Sequence, residues 1–211
     1  MICLMNESSD MPSKSAPPVK LTYEDFLLFP DDGKRHELIA GEHYVTPSPS
    51  LRHQTIVGNL FLALGKYLAN HPIGRVWVAP LDVVLTKFDV VEPDVIYVSR
   101  ERASVLTRQN IQGAPDLVVE VLSPGTRKTD EIAKRRAYER CGIGEYWVAD
   151  PELDLVKVYR RKEGRFERIA EVSSESDNVL TTPLLPDLRI PLRELFRDDD
   201  AGLPGGELQT E

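Results

Sequence analysis

A mixed α/β fold, a β-sheet with helices packed against it, is what the 211-residue sequence predicts. Three observations lead there. An amphipathic helical pattern spans residues 53–69, with His53, Ile56, Val57, Leu60, Leu64, Tyr67 and Leu68 on one stripe. Val- and Ile-rich runs at 75–79, 81–86 and 94–98 read as successive strands separated by short turns. A strand, a helical segment and a second apolar strand then follow across 116–150. Such a crossover implies α/β architecture and is compatible with a parallel pair.

Composition bounds the function. The length predicts one domain with tails: a leader at 1–20, a domain at 21–197 and an acidic, Gly-rich tail at 198–211. Both tails lack apolar periodicity and are expected to be disordered. Met5 and Met11 are alternative starts. Charged residues at 28% and hydrophobic residues at 41% are an ordinary soluble balance. No apolar run approaches the roughly 20 residues of a membrane helix. The opening MICLM is too short for a signal peptide. Cys3 and Cys141 have no zinc or disulfide spacing, so a cytoplasmic protein is expected. The net charge of -8 tells against a broadly basic nucleic-acid binder. It leaves room for an enzyme with a locally basic groove and a bound divalent cation.

The elements follow in order. Residues 22–29 predict a short helix, capped by Thr22 with Asp25 in a capping-box position. HELIAGEHYV predicts a hairpin turning at Ala40-Gly41, with Glu37 and Ile39 on one face of its first strand and Leu38 on the other. Pro47 to Ser50 is a turn or loop, and His53 lies in the first turn of the long helix, on its apolar side. Residues 99–112 predict a loop with some helix; 155–160 and 166–172 predict a hairpin; 184–196 predicts an edge segment or short helix.

The chemistry centres on Glu120. In the strand around it, parity puts Asp116, Val118, Glu120 and Leu122 on one face and Leu117, Val119 and Val121 on the other. Both faces are apolar around the carboxylate, which predicts a central, covered strand and a compensating partner. In the helix at 128–141, at about 100° per residue, Asp130, Ala133, Lys134, Ala137, Tyr138 and Cys141 share one arc. Most other charges of that helix lie opposite. Lys134 on the sheet-facing arc calls for a carboxylate or a phosphate. Asp94 opens a strand after Pro93, where a side chain points into a cleft. Asp94 and Glu120 on neighbouring strands would be paired oxygen ligands for Mg²⁺ or Mn²⁺. Lys134 beside them would orient or deprotonate the attacking water, or stabilise the developing charge. Together these parts describe metal-assisted phosphodiester hydrolysis.

EPDV, PDLVVEVLSP, the helix with Asp130 and Lys134, and GIGEYWVADP resemble the bacterial putative restriction endonuclease family of the PD-(D/E)xK nuclease superfamily. HELIAGE and SLRHQTIVGNL are similar to it too, and the resemblance runs over roughly residues 21–196. It implies a restriction-endonuclease-like mixed sheet flanked by helices, DNA as substrate, a divalent cation and often a homodimer. By resemblance Asp94 and Glu120 are metal ligands, and the backbone carbonyl of Val121 is a further one. The chain departs from the superfamily pattern at Leu122, where that pattern has its lysine. The resemblance moves the lysine into the helix, at Lys134.

Other residues carry weaker readings. Glu37 would complete the metal shell or orient Lys134, against the reading of an exposed strand charge. His53 would act near phosphate, against that of a satisfied helix-start histidine. Ser123 and Thr126, before a helix N-terminus, would contact phosphate, though a turn-and-cap role is the simpler reading. Tyr146 and Trp147 read as core aromatics, and Arg127, Lys128, Arg135 and Arg136 as a solvated face or a DNA path. Two other functions fit the same residues. A non-catalytic binding or assembly protein would keep Glu120 and Lys134 as a buried pair. A different phosphoryl hydrolase would keep the metal and take a smaller substrate.

Overall fold

The computed structural model describes residues 19–197. The expected leader lies outside these residues apart from Val19 and Lys20, as do Cys3, Met5 and Met11, and the expected tail at 198–211 lies wholly outside them. Among the described residues no helix is long and apolar enough to cross a membrane.

The chain opens with α1 (Tyr23–Phe26), then the hairpin β1 (Arg35–Ile39) and β2 (Glu42–Thr46), then the long helix α2 (Leu51–Asn70). Four strands follow: β3 (Gly74–Val78), β4 (Val83–Thr86), β5 (Asp89–Val91) and β6 (Val95–Ser99). After a short 3₁₀ turn come β7 (Ile111–Gln112) and β8 (Leu117–Val121). A π-helical segment, Thr129–Lys134, runs into α3 (Arg135–Cys141), and β9 (Glu145–Asp150) returns. The hairpin β10 (Leu155–Lys162) and β11 (Arg165–Ser173), the hairpin β12 (Val179–Thr182) and β13 (Leu185–Pro191), and α4 (Leu192–Leu195) complete it.

The main sheet has six strands in the order β11-β10-β9-β8-β6-β3. Within this sheet only β8 and β9 run parallel, joined by the crossover through α3. A second sheet, β2-β1-β5-β4-β7, has five strands. Strand β8 is the hinge of the packing. Leu117, Val119 and Val121 face a core shared with Ile56, Leu60 and Leu64 of α2 and with β13 and α4. Val118 and Leu122 face a second core shared with Ala137 and Tyr138 of α3 and with Ile39, Val83 and Val91 of the smaller sheet. The expected alternation and the covered, central position of β8 therefore both hold. A mixed sheet flanked by helices is the observed fold.

Local chemistry accounts for the boundaries. Thr22 and Asp25 form the expected capping box, but α1 stops at Phe26 rather than 29. Leu27 and Leu28 are exposed and find no core to hold a further turn. Ala40 and Gly41 turn the first hairpin with φ of 56° and 83°. Both lie in the left-handed region that a tight two-residue hairpin requires. Ser50 caps α2 through the His53 N–H.

The strands expected at 75–79, 81–86 and 94–98 are present and divide between two sheets: β3 and β6 pair in the large one, and β4 lies in the small one. Strand β5, three residues long between Phe88 and Glu92, was not expected, and its pairing with β1 and β4 is long-range or turn-borne. The edge segment at 184–196 is the second half of a hairpin with β12, followed by α4. The helix at 128–141 begins as a π-helix, in which the Arg135 N–H donates to the Asp130 carbonyl, an i→i+5 bond that widens the turn.

Candidate metal and phosphate centre

The residues picked out in the sequence meet at one end of the large sheet. The β6–β8 register pairs Val95 with Val119, and extending it by one residue sets Asp94 opposite Glu120. Both are buried, at 4% and 2% exposure. Asp94, Glu120, Val121, His53, Ser123, Thr126, Asp130 and Lys134 all line one cavity of about 20 Å³, with Arg35, Pro47 and Pro49 closing it. That is room for about one water molecule.

Asp94 is fully engaged. Its Oδ2 accepts from His53 Nε2 at 3.1 Å and from the Val121 N–H at 2.9 Å. Its Oδ1 accepts both terminal guanidinium nitrogens of Arg35, each at 3.1 Å. Burial alone would raise its pKa. The His53 hydrogen bond and charge, the Arg35 charge and the Val121 N–H outweigh burial and hold the carboxyl below its ordinary value. A carboxylate only accepts, so His53 donates from Nε2. Its Nδ1 is buried and has no hydrogen-bond partner among the described residues.

Glu120 meets the helix as its position predicted. Lys134 Nζ lies 3.1 Å from Oε1, and the Tyr138 hydroxyl donates to the same oxygen at 2.5 Å. Both contacts fall on Oε1. Lys134 also pairs with Glu37 at 2.9 Å and with Asp130 at 3.5 Å. Glu37 is therefore no exposed strand charge. It is 2% exposed and accepts from the Glu92 N–H at 2.8 Å and the Thr46 hydroxyl at 3.3 Å. These bonds hold Glu37 beside Lys134, and it is not among the residues lining the cavity.

The charges do not balance. Three carboxylates against one ammonium leave an excess of two negative charges when all are ionised. Burial pushes Glu120 and Asp130 up, neighbouring carboxylates add to that, and Lys134 only partly opposes it. Burial opposes the charge on Lys134, but Glu120, Glu37 and Asp130 outweigh it and hold its pKa well above the ordinary lysine value. The lysine stays a cation.

Ser123 and Thr126 face the cavity with their hydroxyls 2.9 Å from each other, and each accepts weakly from the other's N–H at 3.3–3.4 Å. Their hydroxyls close the turn that starts the helix. Tyr146 and Trp147 are fully buried core residues. Of the basic residues, Arg127 is committed to Asp150 and Glu152, at 2.6 and 2.8 Å, and Arg135 lies over the Tyr159 ring at 5.2 Å.

Three residues of the site had no role assigned from sequence. Arg35 reaches Asp94 across 59 residues, a contact that no local pattern encodes. Tyr138 stood on the correct helical arc but drew no attention as a donor. Glu92 lies beside Asp94 with its Oε2 buried and unpartnered. Burial first, then Asp82 and Glu37, push its carboxyl up to about 7. The signal for Glu92 was its place in Glu92-Pro93-Asp94.

The donor set suits a hard divalent cation. Asp94 and Glu120 offer carboxylate oxygens from adjacent strands, Val121 lines the same cavity, and the double negative excess is what such an ion would neutralise. Among the described residues no group of three or more His, Cys, Asp or Glu is arranged to hold a metal. A cation held by two carboxylates and a carbonyl, with water completing its shell, does not require one.

A family model described as Uma2, putative restriction endonuclease, matches residues 23–193. A crystal structure of a putative nuclease from Anabaena variabilis is 23% identical in sequence, with a TM-score of 0.70, over 83% of this chain and 97% of that one. At that identity the likeness is one of fold. No curated protein matches the sequence.

Proposed function

The chain belongs to the Uma2 family of putative restriction endonucleases, and from that membership we propose that it is a DNA endonuclease that hydrolyses phosphodiester bonds with a divalent cation. The observation that supports this most is the meeting of Asp94, Glu120 and Lys134 in one buried, over-acidic cavity. Asp94, Glu120 and the Val121 carbonyl would hold Mg²⁺ or Mn²⁺. A bound divalent cation polarises the phosphodiester and makes a water nucleophilic near neutral pH.

The chain's own groups divide the remaining work. Lys134 keeps its proton, so its role is to orient water and stabilise negative charge rather than to act as a base. Glu37 and Asp130 hold that ammonium in place. Tyr138 holds Glu120 through Oε1, so Oε2 would be the oxygen offered to the ion. His53 and the Val121 N–H hold Asp94 ionised and oriented. Lys134, placed on the helix after β8, would supply the cation that Leu122 does not.

The test is cleavage of supercoiled plasmid and of single-stranded DNA in Mg²⁺ or Mn²⁺, with and without a chelator. The expected result is nicking or linearisation with metal and none with chelator. Cleavage that persists in chelator, or no cleavage under any of these conditions, contradicts the proposal.

A further inference from the structure

We infer that Arg35 holds a cation's place on Asp94 and, once a divalent cation takes that oxygen, turns to a phosphate of the bound polynucleotide. This rests on reading the cavity as a metal-assisted phosphodiesterase site. The two oxygens of Asp94 are held differently. Oδ2 is bound by a helix residue and a strand amide, His53 and Val121, both parts of the rigid core. Among the described residues Oδ1 is bound only by the Arg35 guanidinium, which also donates to the Glu92 carbonyl at 3.3 Å. The Arg35 side chain is 20% exposed against 5% for Asp94, so it reaches the carboxylate from the solvent side.

Both terminal nitrogens of the guanidinium donate to Oδ1 and use its two lone pairs, so a divalent cation on that oxygen has to displace at least one of them, against mutual repulsion. The guanidinium is the removable one. Its displacement does not strand it, because Arg35 lines two larger cavities beside the small one. One, of about 370 Å³, is bounded by Lys34, Gln54 and Glu92. The other, of about 420 Å³, lies along Val45 to Pro49. Neighbouring Lys34 is 61% exposed but pairs with Asp32 at 3.3 Å, so Arg35 is the cation that matters at this rim. A planar fork of donors matches the non-bridging oxygens of a phosphodiester. The metal and the substrate would then be linked: ion binding releases the group that grips the phosphate.

The experiment is calorimetric titration of Mn²⁺ into the wild type, Arg35→Gln, Arg35→Lys and Glu120→Gln, with oligonucleotide binding followed by fluorescence anisotropy in Ca²⁺. Losing the competitor should let Arg35→Gln bind Mn²⁺ about three- to tenfold more tightly. Losing the fork should weaken its oligonucleotide binding about tenfold. Arg35→Lys keeps the charge without the fork and should fall between in both. Mn²⁺ binding that depends on Glu120 but is no tighter in Arg35→Gln, or unchanged oligonucleotide affinity, overturns the exchange while leaving the metal site standing. No Mn²⁺ binding in wild type or any Arg35 variant overturns both. If Arg35→Gln fails to fold, wild-type oligonucleotide affinity in Arg35→Lys is the overturning result.

Discussion

Glu120→Gln is expected to lower metal-dependent cleavage by about a thousandfold, the several kcal/mol that a positioned hard cation supplies. It should do so without loss of stability. The amide oxygen can still accept from Lys134 and Tyr138, which both meet Oε1, and Lys134 retains Glu37 and Asp130. Burial disfavours the ionised form of Glu120, so the neutral isostere relieves a cost. This split separates catalysis from a structural pair. A buried specificity pair predicts the reverse, a destabilised variant with nothing else to lose. The checks are the initial rate of plasmid nicking and urea unfolding of the same preparations.

Lys134→Met should have the largest effect on stability, a loss of about 3–5 kcal/mol, the usual result of removing one partner from a buried ion network. It leaves Glu37, Glu120 and Asp130 with no cation among them. The deficit should depend on pH in a definite sense. Glu120 and Asp130 already have folded-state pKa values raised above their ordinary ones, and losing Lys134 raises them further. A carboxyl raised on folding contributes stability below its unfolded pKa and loses it as pH rises through the folded value. Lys134→Met should therefore be closest to wild type near pH 4–5 and furthest from it near pH 8. Urea unfolding across that range measures it, and a deficit independent of pH would sink the charge-cluster account.

How much of this was legible in the sequence depends on how local each feature is. Period-two alternation from Asp116 to Leu122 sorted β8 between its two cores. Helical periodicity put Asp130, Lys134 and Tyr138 on the buried arc even though the first part of that helix is π-helical. The capping box at Thr22 and the turn at Ala40-Gly41 are local chemistry and were readable as such. The division of strands between the two larger sheets was not, because β4, β5 and β1 pair through contacts that no periodicity records. Strand β5 is too short to show a pattern. Arg35 was invisible for the same reason: one arginine opening a strand looks like a solvated charge until Asp94 is brought to it from far along the chain. Glu37 could be placed on a face and offered either the metal or Lys134, but the sequence does not choose between them. Its meeting with Lys134 joins the first hairpin to the crossover helix.

The central claim is that Asp94 and Glu120 share one ion beside Lys134. Anomalous scattering from a crystal of the protein soaked in Mn²⁺ tests it most directly. The account predicts a single strong peak between the two carboxylates, with Arg35 moved off Asp94 and Lys134 still paired to Glu37. An intact Arg35–Asp94 pair with no peak between Asp94 and Glu120, at a Mn²⁺ concentration that saturates solution binding, would contradict it.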